Sequence, residues 1–169
     1  MRYGDARGLE QLEVETEAPE SYVERVHAAE PNGPLYPFSL EDKSRRITEP
    51  SPWYTADGAR ASPWGRTIVP FEMISVLTNK SGRQLPVRGP TLGLFLDLEV
   101  RMVAGPVFAD YDYELRTKVI GLSESRRTES FWTETAVLDA GTGDVVAMVV
   151  LHQGLFKQSY AGYPPDRLR

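Results

Sequence analysis

The 169 residues include no cysteine, which excludes a disulfide framework, thiolate metal sites and cysteine nucleophiles. Histidine is almost as scarce: His27 and His152 are the only two, far apart in sequence, so no metal is expected. No apolar run approaches the ~18 residues of a membrane span. The amino terminus, MRYGDARGLEQLEVE, lacks a basic region followed by an apolar stretch, so a cytoplasmic location without membrane contact is expected. Blocks of like charge are missing too. With 19 basic against 24 acidic residues the net charge is -5, and a nucleic-acid backbone would find little to hold. Repeats and low-complexity tracts are absent. The length and a hydrophobic content of 41% suit a single domain over 1–169.

Pattern then divides the chain. Leu12 and Val14 alternate in a weak strand within Gly8 to Glu15, and Tyr22, Val23 and Val26 suggest a short helix between Pro19 and Ala29. Pro31, Pro34, Pro37, Pro50, Pro52 and Pro63 recur too often from there to residue 63 for a long regular element. This Pro-rich part is also aromatic, so it should fold against the body and form a wall; its insert at 31–48 is expected to cap a binding tunnel. Residues Ile68 to Asn79 are apolar around nearly the whole circumference of a helix entered through Pro70, the pattern of a helix that is surrounded. A loop follows from Arg83 to Gly93. After it the period falls to two, with strands predicted around Leu96 to Met102, Tyr111 to Val119, Phe131 to Leu138 and Val145 to Leu155. The tail 164–169 should fray. The expected fold is α+β, a curved antiparallel sheet wrapped around the 68–79 helix.

That order, together with two local motifs, resembles the hotdog fold and, within it, the MaoC-like family of (R)-specific enoyl-CoA hydratases and dehydratases. The first motif is TEPSPWYTADGARASPWGRTIVPFEMISVL and the second is LDLEVRMVAGPVFADYDYELRTKV. The resemblance covers about residues 46 to 156. It implies an acyl thioester on coenzyme A or an acyl carrier protein as ligand, with the coenzyme or phosphopantetheine entering as part of the substrate and no other cofactor. It also implies a homodimer, or a heterodimer with another hotdog subunit, with the ligand tunnel at the interface.

Carried over residue by residue, the family's catalytic aspartate falls on Glu49 and its histidine on Tyr54, while the His-Gly pair at the helix entry falls on Pro70 and Phe71. Glutamate keeps a carboxylate. Tyrosine replaces an imidazole of reference pKa about 6.5 by a phenol near 10, a donor and a poor base at neutral pH. The family's thioester-oxygen site would here be the N–H groups of Phe71 and Glu72 at the helix start. Glu72 is the one charge on an apolar segment, placed where the helix dipole favours an anion; hotdog thioesterases resemble this arrangement, and the alternative is an ion pair with an arginine such as Arg66. Trp53, Trp64, Tyr111 and Tyr113 are either packing or tunnel lining. Arg126 and Arg127 form a charged turn or meet the phosphates of coenzyme A. Three readings follow: a dehydratase or hydratase acting on 3-hydroxyacyl or enoyl thioesters through Glu49 and Tyr54, a non-catalytic hotdog subunit that binds an acyl chain or supports a partner, and a thioesterase using Glu72.

Overall fold

Five antiparallel strands form one sheet in the order β1-β3-β4-β5-β2 in the computed structural model, which describes residues 9, 11–79, 85–87, 92–160 and 163. β1 is Tyr22–Glu24, β2 Gly93–Met102, β3 Tyr113–Glu124, β4 Thr128–Asp139 and β5 Val145–Phe156. The last four strands lie where the period-two pattern placed them, each extended by a few residues. Burial follows the alternation: Tyr113, Leu115, Thr117 and Val119 turn inward on β3, and Val137, Thr135, Thr133 and Phe131 answer them on β4.

Two apolar clusters line that inner face. One joins Tyr113, Leu115, Val137, Ala147 and Val149 to Met73, Ile74 and Leu77 of the helix that crosses the sheet. The other gathers Leu9, Leu12, Val119, Phe131 and Leu155 at the far end. Between them lies a short polar strip, where the buried hydroxyls of Thr117 and Thr135 hydrogen-bond at 2.8 Å.

Helices are few and short: α1 Leu40–Ser44, α2 Ala56–Ala59 and α3 Phe71–Asn79. The predicted helix 68–79 therefore begins three residues late. Residues 68 and 69 are extended instead, because Ile68 bridges Phe108 and the Val69 N–H donates to the Val107 carbonyl at 2.8 Å. Nor is α3 surrounded. Met73, Ile74, Leu77 and Thr78 are buried, but Phe71 is 60% exposed, so the sheet covers one side of the helix and part of its apolar surface stays open.

Two further expectations fail near the amino terminus. The predicted helix within 19–29 is the strand β1, since Tyr22, Val23 and Glu24 pair with Leu115, Glu114 and Tyr113; a free edge of β3 outweighs a marginal helical spacing. The strand expected at 8–15 is a turn over its described residues, with Leu12 buried and Val14 exposed. Pairing starts later, where Glu15 and Ala18 donate backbone N–H groups to Val119 and Thr117. The tail 164–169 and much of the loop after α3 lie outside the described residues.

Candidate active site

Local hydrogen bonds fix the loop that leads into α3. Ser51 accepts the Trp53 N–H at 3.3 Å, starting a single tight turn over Pro52–Tyr54. Thr55 then caps α2 by accepting the Gly58 N–H at 3.2 Å and donates its hydroxyl to the Pro52 carbonyl at 2.9 Å. Glycine is required at 58: a Cβ there would sit 1.9 Å from the Pro52 carbonyl oxygen. The Ile68 N–H returns to the Trp53 carbonyl at 3.0 Å. Together these bonds hold the Tyr54 turn beside the start of α3.

The result is a cavity of about 320 Å³ walled by Tyr54, Trp64, Ile68, Phe71, Ile74 and Met102, with Val103 and the Gly105–Val107 turn closing it below. Among the described residues Tyr54 is its one ionisable lining group. Among the described residues the N–H groups of Phe71 and Glu72 have no acceptor, as the first turn of a helix leaves them. Pro70 is buried and its carbonyl takes the Met73 N–H at 2.9 Å. Trp53 does not line the cavity; it packs edge-on against Trp64 with ring centroids 5.6 Å apart.

The carboxylates lie elsewhere. Glu49 is exposed on the preceding loop, outside the cavity wall, with no hydrogen bond or ion pair among the described residues. Glu72 projects from the opposite flank of α3 into a second cleft of about 380 Å³, where it pairs with Lys43 at 2.8 Å. That bond raises the Lys43 pKa above the ordinary lysine value. The pairing expected with Arg66 is not made. The Arg66 guanidinium lies over Phe108 and Tyr111, 5.3 and 4.8 Å from the ring centres.

The 31–48 insert also takes the second flank. Its Asn32, Gly33, Leu35 and Tyr36 wall the Lys43–Glu72 cleft, and none of its residues borders the Tyr54 cavity. Leu40 anchors the insert in the core, α1 starts in a reciprocal Ser39–Asp42 capping box, and buried Asn32 accepts the His27 N–H at 2.7 Å while donating to the His27 and Phe38 carbonyls. Sequence reasoning passed over Asn32; an asparagine just before Gly-Pro was its one available signal.

The remaining candidates lie outside the lining of this cavity. The Tyr113 hydroxyl accepts the Phe108 N–H at 2.8 Å, and burial pushes its pKa up to about 12. Tyr111 donates to the Asp139 carboxylate, which raises the phenol's pKa. His152 is stacked on Trp132 at 3.8 Å on the sheet's outer side. His27 follows β1 and lies on no helix. Arg126 and Arg127 turn between β3 and β4, at the end of β3 opposite Tyr113, roughly 35 Å along the strand and remote from the cavity of the same chain.

No protein-family model and no curated protein sequence matches the chain. Solved structures do. An (R)-hydratase from A. caviae involved in PHA biosynthesis superposes with a TM-score of 0.58 at 19% identity, over 85% of this chain and 96% of that one. A MaoC-like dehydratase from Rhodospirillum rubrum gives 0.57 at 19% identity, over 88% and 95%. The HadBC (3R)-hydroxyacyl-ACP dehydratase complex from Mycobacterium tuberculosis gives 0.58 at 11% identity, over 83% and 96%. The chain has the hotdog fold. Among hotdog structures it is similar in architecture to MaoC-like dehydratases over nearly their whole length.

Proposed function

We propose that this chain binds an acyl thioester, of coenzyme A or an acyl carrier protein, and works as a hotdog subunit paired through its open sheet edge with another. One observation carries the reading: an apolar cavity with a single phenol sits at the start of α3, where two backbone N–H groups are free. An acyl chain suits the Trp64, Phe71, Ile74 and Met102 walls by apolar burial. The thioester oxygen would accept from the Phe71 and Glu72 N–H groups, and Tyr54 would donate to a polar group near the carbonyl. The similarity to a hydratase and a dehydratase supports a 3-hydroxyacyl or enoyl thioester as ligand, and the HadBC complex supports pairing between hotdog chains.

Moving water on or off such a ligand needs a base as well as an acid. Among the described residues the cavity wall holds no carboxylate and no imidazole, and on this reading the chain binds the ligand without converting it alone. A second reading, hydration or dehydration within one chain, rests on the position of Glu49 five residues before Tyr54, its exposed carboxylate without a hydrogen bond or ion pair among the described residues. The thioesterase reading has no comparable support, because Glu72 faces Lys43 across the other flank.

Trp64 provides the test, since its indole forms part of the wall. Titration with saturated, enoyl and 3-hydroxyacyl thioesters should shift tryptophan fluorescence saturably, and Tyr54→Phe should weaken binding several-fold, about the worth of one hydrogen bond. Mass spectrometry of the same mixtures should show unchanged thioester. Gain or loss of water abolished by Glu49→Gln would move the conclusion to the second reading. Absence of binding to every thioester would end both.

A further inference from the structure

Arg66 stands two residues beyond Trp64 of the cavity wall, and its charge has no carboxylate partner. Gly65 makes the reversal between them at φ +62°, a conformation that favours glycine. The buried Ser62 hydroxyl then accepts the Arg66 N–H at 3.3 Å and donates to the Arg66 carbonyl at 3.2 Å. Just after it, the Thr67 carbonyl accepts the Ala109 N–H at 2.9 Å and the Val69 N–H donates to Val107 at 2.8 Å. This strip of backbone is thereby tied to the segment that carries Phe108 and Tyr111, and the Arg66 guanidinium is laid over both rings. Arg66 nonetheless stays exposed, with no ion pair among the described residues.

Asp139 feels that charge but is engaged elsewhere. Its carboxylate accepts the Tyr111 hydroxyl at 3.0 and 2.9 Å and the N–H groups of Gly141 and Thr142 at 2.8 and 3.0 Å. A guanidinium stacked on aromatic rings keeps its in-plane fork of N–H groups for an anion, and phosphate is the anion that this fork matches in two parallel bonds.

The geometry points to Arg66 as the group that holds the phosphate on the ligand's thiol arm. This rests on the thioester reading above and adds to it a contact outside the acyl cavity. With its oxygen at the Phe71 N–H, a thioester runs its acyl chain toward Ile74 and Met102 and leads its thiol arm out by Trp64, whose indole is 44% exposed at the rim. Ring steps of 6.3 Å from Trp64 to Phe108 and 5.3 Å from Phe108 to the guanidinium continue that path. The lengths agree. From Arg66 to Phe71 the chain advances five residues, at most ~17 Å; the bonds from a thioester sulfur to the phosphorus of a pantetheine arm amount to about four residues of extended chain, ~15 Å. Arg126 and Arg127, at the other end of β3, are out of that reach. Coenzyme A and the prosthetic arm of a carrier protein share this phosphate, and a single fork serves either.

Four ligands carrying one saturated acyl group test the assignment by tryptophan fluorescence: the thioesters of pantetheine, which lacks the phosphate, of phosphopantetheine, of coenzyme A and of an acyl carrier protein. The wild type should bind the phosphopantetheine thioester about tenfold more tightly than the pantetheine thioester. Arg66→Gln should erase that preference and leave the affinity for the pantetheine thioester unchanged, which also shows that the variant folds. A further loss confined to the coenzyme A thioester names the coenzyme as the source of the phosphate, and one confined to the carrier names the carrier; both uphold the assignment. Equal binding of the first two ligands by the wild type overturns it. So does a preference that survives Arg66→Gln, or one that the Arg126→Gln, Arg127→Gln double variant removes instead. An equal loss with both ligands in Arg66→Gln marks a purely structural role and overturns it too. Each of these failures leaves the thioester reading standing; silence toward all four ligands refutes that reading, and this inference with it.

Discussion

On one flank of α3, Glu72 is held by Lys43 beneath the insert; on the other, Tyr54 faces an apolar cavity beside two free N–H groups. Four helical residues separate these environments, Phe71 and Ile74 turning one way and Glu72 and Val76 the other. The first flank satisfies its charges internally and has the chemistry of a strut. The second leaves its polar groups without partners among the described residues, in an apolar setting, which is why the ligand is proposed there. A helix end with a carboxylate in its first turn is therefore not sufficient to mark a catalytic group, because the face on which that carboxylate emerges decides what it meets.

The contrast breaks most severely at Gly58. Any side chain there collides with the Pro52 carbonyl, so Gly58→Ala should destabilise the protein by about 3 kcal/mol and abolish acyl binding, as read by urea unfolding and tryptophan fluorescence; an unchanged midpoint would separate the Tyr54 turn from α2. Next comes the support beneath the cavity. Tyr113 has a pKa raised by burial, and its neutral form is the one that folding favours. Its stabilisation is complete below the unfolded value of about 10 and is lost as pH rises toward 12, on the order of 2 kcal/mol. Unfolding midpoints measured at pH 9 and pH 12 should fall steeply in the wild type and less steeply in Tyr113→Phe.

Smaller effects sharpen the difference between flanks. Val103→Trp, at an exposed position of the cavity wall, should weaken acyl binding about tenfold, while Val76→Trp on the other flank should leave it unchanged; equal losses would erase the distinction. Glu72→Gln should cost less than about 1 kcal/mol, since its ion pair is partly exposed, and should leave acyl binding intact. A large loss of binding would return Glu72 to the site.

Much of this was legible in the residues. The four long strands followed from alternation, which a half-buried antiparallel sheet enforces at every second position. The motif order around PSPWYT and GPVF led to the fold that solved structures share. The weak signals were the short ones. Tyr22–Glu24 carried a helical spacing over too few residues to resist an unpaired strand edge, and Ile68 looked helical because apolarity does not reveal that Phe108 offers it a backbone partner. The insert's destination was invisible, since it is set by contacts between segments distant in sequence, Lys43 with Glu72 and Leu40 in the core beneath α3.

The sequence by itself determined the sheet, the apolar helix that crosses it, and the absence of cysteine and hence of thiolate chemistry, because these depend on residue type and local period. Tertiary structure alone decided that Tyr54 enters the cavity, that Glu49 stays outside, that Glu72 goes to Lys43, and that β2 is the long open edge. Those outcomes depend on which loop reaches which face, and that is set by distant backbone pairings such as Val69 with Val107 and by the single clearance at Gly58.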